Sequence, residues 1–190
     1  GTVKADGEEL TGMKEKDLAA LRLRRLGFVF QNPHLLRTLC LLDNIALPGF
    51  LAGDEPREEI VARARGLMAS MGISELESSD VAEVSGGQLQ RASICRALIN
   101  DPEIVIGDEP TGALNSASAS QVLDIMGEIR ARGTTVVLVT HDPMVAVRAD
   151  RVLVLVDGKI TDDVALGRYS PDAAAERTAR VTSLLASRGV

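Results

Sequence analysis

Four groups of residues in this chain have the types and the spacing to handle a phosphate ester beside a divalent metal. Ile104-Val105-Ile106-Gly107-Asp108-Glu109 is an apolar run closed by two carboxylates. Such a run reads as a strand, and the C-terminal end of a strand puts Asp108 in the crevice where an open parallel sheet binds ligands, a place suited to a magnesium ion. Glu109 then faces the terminal phosphate of a bound nucleotide, where a carboxylate orients or polarises an attacking water. Upstream, Ser85-Gly86-Gly87 opens a helix that continues as Gln88-Leu89-Gln90-Arg91. The backbone N–H groups and the positive end of such a helix face an anion, and two glycines permit close approach. Ser85 offers a hydroxyl, and Gln88 a contact to the nucleotide sugar or to a neighbouring loop. His141 follows the strand Thr135 to Thr140 and so leaves the sheet at the same edge as Asp108, with an imidazole that can hydrogen-bond a phosphate oxygen. Gln31 ends the strand Gly27 to Phe30, and its neutral amide can ligate magnesium or orient water.

Each group also has a plain structural reading. An Asp-Glu pair can simply turn the chain, Ser-Gly-Gly can be a flexible turn before a helix, and a lone strand-end histidine is commonly a satisfied structural residue. His34, between Pro33 and Leu35, keeps that structural reading. The order of the groups along one chain favours chemistry for the rest. The phosphate loop Gly-x-x-x-x-Gly-Lys-Ser/Thr, which supplies backbone N–H groups and a lysine to nucleotide phosphates, does not occur in the 190 residues.

The elements that must position these residues follow from periodicity and punctuation. A turn at Asp6-Gly7 sits between short alternating segments, and Lys14 to Arg25 carries helix formers. Asp43 reads as the cap of a helix running to Leu51 that Pro48 and Gly49 kink or break, and Pro56 opens a helix to about Met71. A polar connector, Ser74 to Glu83, leads to the helix from Ser85 to about Asn100. Beyond it, buried-looking strands at Ile104 to Asp108, Thr135 to Thr140 and Val152 to Val156 alternate with helical patterns at Ala117 to Arg132 and Met144 to Arg148, as expected of a parallel sheet covered by helices. Asp157-Gly158-Lys159 is one more tight turn, and Pro171 to Val190 spaces Ala174, Val181, Leu184 and Leu185 as an amphipathic helix.

Composition narrows the function. The 190 residues, 45% hydrophobic, suit one globular domain. With 21 basic and 27 acidic residues the formal charge is -6, which argues against nucleic acid or anionic lipid held by bulk electrostatics. Aromatic residues at 2% exclude the stacking platforms of single-strand binders. Cys40 and Cys95 read as reduced thiols of a cytosolic protein, no apolar run reaches membrane-spanning length, and the start at Gly1-Thr2-Val3-Lys4 lacks a signal peptide and an initiator Met, as a fragment or processed chain would.

Taken together the motifs resemble the nucleotide-binding subunit of an ATP-binding cassette (ABC) transporter. Val84-Ser85-Gly86-Gly87-Gln88 is similar to the family's signature, Ile104 to Glu109 to its Walker B strand with catalytic glutamate, Gly112-Ala113-Leu114-Asn115 to its D-loop, His141 to its switch histidine and Gln31 to its Q-loop glutamine. Arg24 to Gln31, Asp43-Asn44-Ile45-Ala46-Leu47-Pro48 and Thr111 to Leu114 are similar to the group serving lipoprotein release and macrolide or peptide export. The resemblance implies an α/β, P-loop NTPase-like ABC ATPase fold truncated at its N-terminus, spanning residues 1–168 with a helical subdomain at about 41–100 that carries the signature, and a helical tail at 169–190. It implies ATP and Mg2+ as cofactors, Glu109, His141 and Gln31 as catalytic residues, Asp108 and Gln31 at the metal, and Ser85, Gly86, Gly87 and Gln88 at nucleotide. It implies as partners a second ABC ATPase subunit, identical or not, closing head to tail around two ATP molecules, and a transmembrane permease that holds the protein at the cytoplasmic face of the cell membrane. Asn115 stands where the D-loop usually carries an aspartate, and Leu89 and Gly107 depart more mildly.

Two other classes compete. A non-catalytic interaction subunit would donate Ser85 to Gln88 to an intact partner without binding ATP itself, and the missing phosphate loop speaks for it. The chromosome and DNA-repair ATPases with a related signature require long coiled coils, and the chain has no sustained heptads.

Overall fold

A computed structural model of the chain describes residues 1–5 and 7–187, in two compact units that divide after Val139. The first unit opens with a hairpin of β1 (Lys4–Ala5) and β2 (Glu8–Glu9), followed by α1 (Glu15–Arg25) and β3 (Leu26–Phe30). Three helices come next, α2 (Leu41–Ala52), α3 (Arg57–Ser70) and α4 (Gly86–Leu98), with two short 3-10 turns between the last two. β4 (Ile104–Asp108), α5 (Ser116–Ala131) and β5 (Thr135–Val139) complete the unit. The sheet order is β3-β4-β5, all parallel, so each crossover carries helix as parallel pairing demands.

The core lies between this sheet and the helices. Val29 and Val105 from the strands, Ala92, Cys95 and Ile99 from the α4 region, and Ile45 and Ile60 from α2 and α3 are all essentially inaccessible. Arg25 forms a two-pronged ion pair with Glu103 at 2.7 Å for each prong, tying the start of β3 to the start of β4 and holding the Glu103 carboxyl below the usual range.

Pro48 and Gly49 do not break α2, contrary to the pattern's implication. The helix runs through both, has Cys40 rather than Asp43 at its N-cap position without a side-chain capping bond, and ends at Gly53 in the left-handed region (φ 68°). Pro48 has no N–H to give the Asn44 carbonyl, and neighbouring elements hold the helix around it: Asn100 donates through Nδ2 to the Pro48 carbonyl, and a Cβ on Gly49 would sit 2.7 Å from Ile60 Cγ2, so α3 packs where only glycine leaves room. Tertiary packing outweighs the missing hydrogen bond.

The second unit holds α6 (Pro143–Ala146), the antiparallel pair β6 (Arg151–Val156) and β7 (Lys159–Ala165), and α7 (Ala174–Ser187) after a 3-10 turn. Here the expected parallel arrangement is corrected: β6 pairs with β7, which periodicity missed, across a turn whose Asp157 and Gly158 both have positive φ. Lys159 to Ala165 carries adjacent aspartates, and alternation is lost at the irregularity between Val154 and Leu155. The helical pattern at Met144 to Arg148 is a four-residue helix. Among the described residues no helix is long and apolar enough to cross a membrane.

Candidate functional site at the sheet edge and the signature helix

The last residues of the three parallel strands stand level: Phe30 is in register with Asp108, and Asp108 with Val139. Gln31 and Glu109 follow directly, so two of the three chains leaving this edge carry candidate side chains. Asp108 is exposed and Glu109 half-buried. Glu109 has a φ of 46°, uncommon for a residue with a Cβ. Its N–H donates to the Val139 carbonyl at 2.9 Å, and its own carbonyl accepts from Gly112 N–H at 3.1 Å. Backbone bonds therefore fix the turn after β4 and hold the sparsely populated conformation in place, a pattern that clusters at functional sites.

Gln31 lies against that turn. A Cβ on Gly112 would stand 2.9 Å from Gln31 Nε2 and 3.3 Å from its Cδ, so the amide occupies the space that the glycine leaves. Gln31, Asp108 and Glu109 are thus gathered at one edge, as the sequence implied. For a magnesium ion the donor set is one exposed carboxylate and one neutral amide oxygen. That set fits an ion that keeps several waters and takes its other ligands from phosphate. Among the described residues no cluster of three or more His, Cys, Asp or Glu side chains forms a self-sufficient metal cage.

The signature stretch has its own geometry. Ser85 is the N-cap of α4: its Oγ accepts from Gln88 N–H at 3.4 Å, and Gln88 Oε1 accepts from Ser85 N–H at 2.8 Å, a reciprocal capping box. The Gln88 side chain is turned back onto its own helix start. Gly86 and Gly87 occupy the first turn, whose N–H groups have no intrahelical acceptor and carry the positive end of the helix dipole. This end packs on the start of α5, where a Cβ on Gly87 would stand 2.9 Å from Ser118 Oγ. Ser118 N–H in turn donates to Asn115 Oδ1 at 2.9 Å, making Asn115 the N-cap of α5. Asparagine caps as well as aspartate does, so the departure at this D-loop position preserves the local fold while removing a charge.

His141 lies in the second unit and is exposed. The segment around it is tied locally: Asp142 N–H donates to Thr140 Oγ1 at 3.0 Å, and Asp142 Oδ1 accepts from Met144 N–H at 2.8 Å, capping α6 with Pro143 in its first turn.

Sequence reading missed three residues that matter to this arrangement. Ser118 links the signature to the Asn115 turn, and the Asn115-to-Ser118 spacing of a helix cap was the available signal. Gln90 and Arg96 on α4 reach the backbone on either side of Gln31. Periodicity carries no signal for those two, because their acceptors are carbonyls some sixty positions away in sequence.

The family model described as ABC transporter matches residues 1–112. The macrolide export ATP-binding/permease protein MacB of Rhodopseudomonas palustris is 43% identical over 188 residues, 99% of this chain and 28% of that protein. MacB 1/2 of Paracoccus denitrificans is 43% identical over 90% of this chain and 26% of its own length. The chain therefore spans little more than a quarter of the curated relatives it matches. Among solved structures, the dimeric bacterial ABC transporter cassette MJ0796 superposes with a TM-score of 0.80 at 32% identity, covering 89% of this chain and 75% of that one. Its post-hydrolysis dimer bound to ADP and Pi superposes with a TM-score of 0.77 at 29% identity. The parallel sheet with its aspartate-ended strand, the capped signature helix and these likenesses agree, and the chain belongs to the ABC transporter family.

Proposed function

We propose that this chain is the nucleotide-handling part of an ABC exporter of the macrolide or lipoprotein-release type, which binds and hydrolyses ATP and couples closure of a cassette dimer to a membrane permease. The observation that carries the reading is the gathering of Gln31, Asp108 and Glu109 at one end of a parallel sheet. Asp108 and Gln31 would hold Mg2+, which would offset the charge of the nucleotide's phosphates. Glu109 would take a proton from the attacking water, and His141 would hydrogen-bond the terminal phosphate. The Ser85–Gln88 helix start would meet the nucleotide held by the opposing subunit, since a capped, glycine-opened helix end is suited to an anion. The dimeric assembly of MJ0796 and the permease half named for the MacB relatives support a second cassette and a transmembrane partner, with the chain held at the cytoplasmic face through that permease.

A second reading is an interaction module that lends its signature to an intact partner, for which the self-capped Ser85–Gln88 helix start would suffice. Titration calorimetry with Mg-ATP separates the two. It compares the 190-residue chain with the product of the complete reading frame. Binding by the complete product alone, followed by turnover, supports the ATPase, whereas no binding by either leaves the interaction module. Tight binding by the 190-residue chain would overturn the expectation that a phosphate loop is needed.

A further inference from the structure

We infer that Gln90 and Arg96, on the signature helix α4, are positioning residues for Gln31, clamping the backbone on both sides of it. Gln90, only 1% exposed, donates through Nε2 to the Phe30 carbonyl at 3.1 Å, immediately before Gln31. Arg96 donates through Nη2 to the Pro33 carbonyl at 2.6 Å and through Nη1 to the His34 carbonyl at 2.9 Å, two and three residues after it. Both residues lie on one helix, about 9 Å apart along its axis. They therefore grip the two ends of the Gln31–His34 segment as one rigid body.

The segment needs such a grip. It has no regular secondary structure, and His34 has a φ of 49°, a conformation that a residue with a Cβ holds only where its surroundings impose it. The His34 ring meets Phe30 edge-on, with centroids 5.6 Å apart, while its carbonyl accepts from Arg96. Further along, Asn44 closes the loop by accepting from Leu36 N–H at 2.7 Å. Arg96 is half-buried, and desolvation lowers its proton affinity. It donates to two main-chain oxygens, the Pro33 carbonyl in a partly buried setting and the His34 carbonyl in an exposed one.

The consequence concerns the reaction. Gln90 in the first half of α4 and Arg96 in the second hold the backbone on both sides of Gln31, so loosening either would misplace the amide during turnover and couple Arg96 to the action of Gln31. This step rests on the ATPase reading above, and the clamp itself does not.

Two measurements separate them. Hydrogen exchange on the 190-residue chain reads the clamp without any turnover: Arg96→Gln should speed exchange of the Gln31–Leu36 amides about tenfold or more while β4 stays protected, and Arg96→Lys should restore part of the protection. Unchanged exchange in Arg96→Gln would overturn the clamp. Gln90→Leu, which keeps volume and removes the donor to Phe30, gives a second reading should Arg96→Gln fail to fold. Steady-state hydrolysis by the complete protein reads the coupling. Arg96→Gln should lower kcat about tenfold to a hundredfold with KM for ATP little changed, because it misplaces rather than removes a reacting group. In a Gln31→Ala background the same substitution should cost nothing further. Losses that multiply would mean that Arg96 acts independently of Gln31 and would overturn the positioning role. Absence of turnover in the wild-type protein would instead count against the ATPase reading and leave the exchange result standing.

Discussion

Glu109 sits where β4 must turn, and its positive φ points the chain away from the strand direction at the residue proposed to act on the attacking water. The backbone bonds to Val139 and from Gly112 hold it there. The conformation should therefore survive loss of the charge. Glu109→Gln in the complete protein should bind Mg-ATP as the wild type does and hydrolyse it about 10²- to 10⁴-fold more slowly, the usual contribution of a positioned acid-base group. Single-turnover hydrolysis alongside nucleotide binding checks this, and an unchanged rate would remove Glu109 from its role. Cys95 is the opposite kind of residue, inert because it is fully buried, with burial pushing its thiol from an ordinary value near 9 up to about 12. The folded state keeps its proton where the unfolded chain loses it, so the raised value makes stability fall as pH climbs from the unfolded pKa toward the folded one. Relative to Cys95→Ala, the wild type should lose about 1.4 kcal/mol of unfolding free energy between about pH 8 and pH 10. Urea unfolding at the two pH values reads that difference, and parallel curves would show that the thiol titrates alike in both states.

Helix α7 shows what an element owes to contacts that sequence does not display. Its pattern of Ala174, Val181, Leu184 and Leu185 predicts an amphipathic helix, and Val181 is indeed buried at 1% exposure. Beside it lies Arg177, 6% exposed, donating to the carbonyls of Val147, Leu166 and Gly167 at 2.9 to 3.0 Å and also to that of Ala149, with its guanidinium 5.5 Å from the Tyr169 ring. A charged residue on the inner face breaks the periodic rule, because the carbonyl cage that accepts it exists only once the chain has folded back. Arg177→Met keeps the apolar stem and removes every donor, leaving carbonyls that each cost about 1–3 kcal/mol when buried without a partner. Amides of α7 should then lose at least tenfold in exchange protection while those of β4 keep theirs, and equal protection in the variant would show that the cage is not what anchors the helix. The same logic explains what periodicity did and did not reach elsewhere. The strand Ile104 to Asp108 and the helix from Ser85 were legible because each carries its own boundary signal, an acidic end or a capping serine. α2 was legible as a helix but not as a continuous one, since its passage through Pro48 rests on Asn100 and Ile60 from other elements. β7 was not legible, because its Asp162-Asp163 pair dilutes the alternation and its pairing with β6 is long settled only by the turn at Asp157-Gly158.

For the molecule as a whole, the candidate site was legible to the extent that each side chain sits at an element's end. Gln31, Asp108 and Glu109 follow strands whose parallel register brings them together, whereas the contribution of Ser118, Gln90 and Arg96 depends on packing between α4 and its neighbours. The sheet that gathers them also departs from expectation in one respect. An apolar strand such as Thr135–Val139 reads as buried on both faces, yet Val137 is 46% and Val139 58% exposed. β5 is also the last strand in the order β3-β4-β5, so among the described residues one of its edges is unpaired. An apolar edge of this kind is a template for further strand pairing, and it sits within a chain whose net charge of -6 gives only modest repulsion between copies. The 190-residue chain should therefore associate as its concentration rises, with β5 as the contact. Val137→Lys places a charge on the exposed face at small folding cost, about 0.5 kcal/mol or less for a surface position, while burying that charge against a second strand is unfavourable. Light scattering across a concentration series should show the onset of association moved severalfold higher in Val137→Lys than in the wild type, with matching unfolding curves. The same onset in both proteins would place the contact away from this edge and leave the two valines as exposed apolar surface without consequence for assembly.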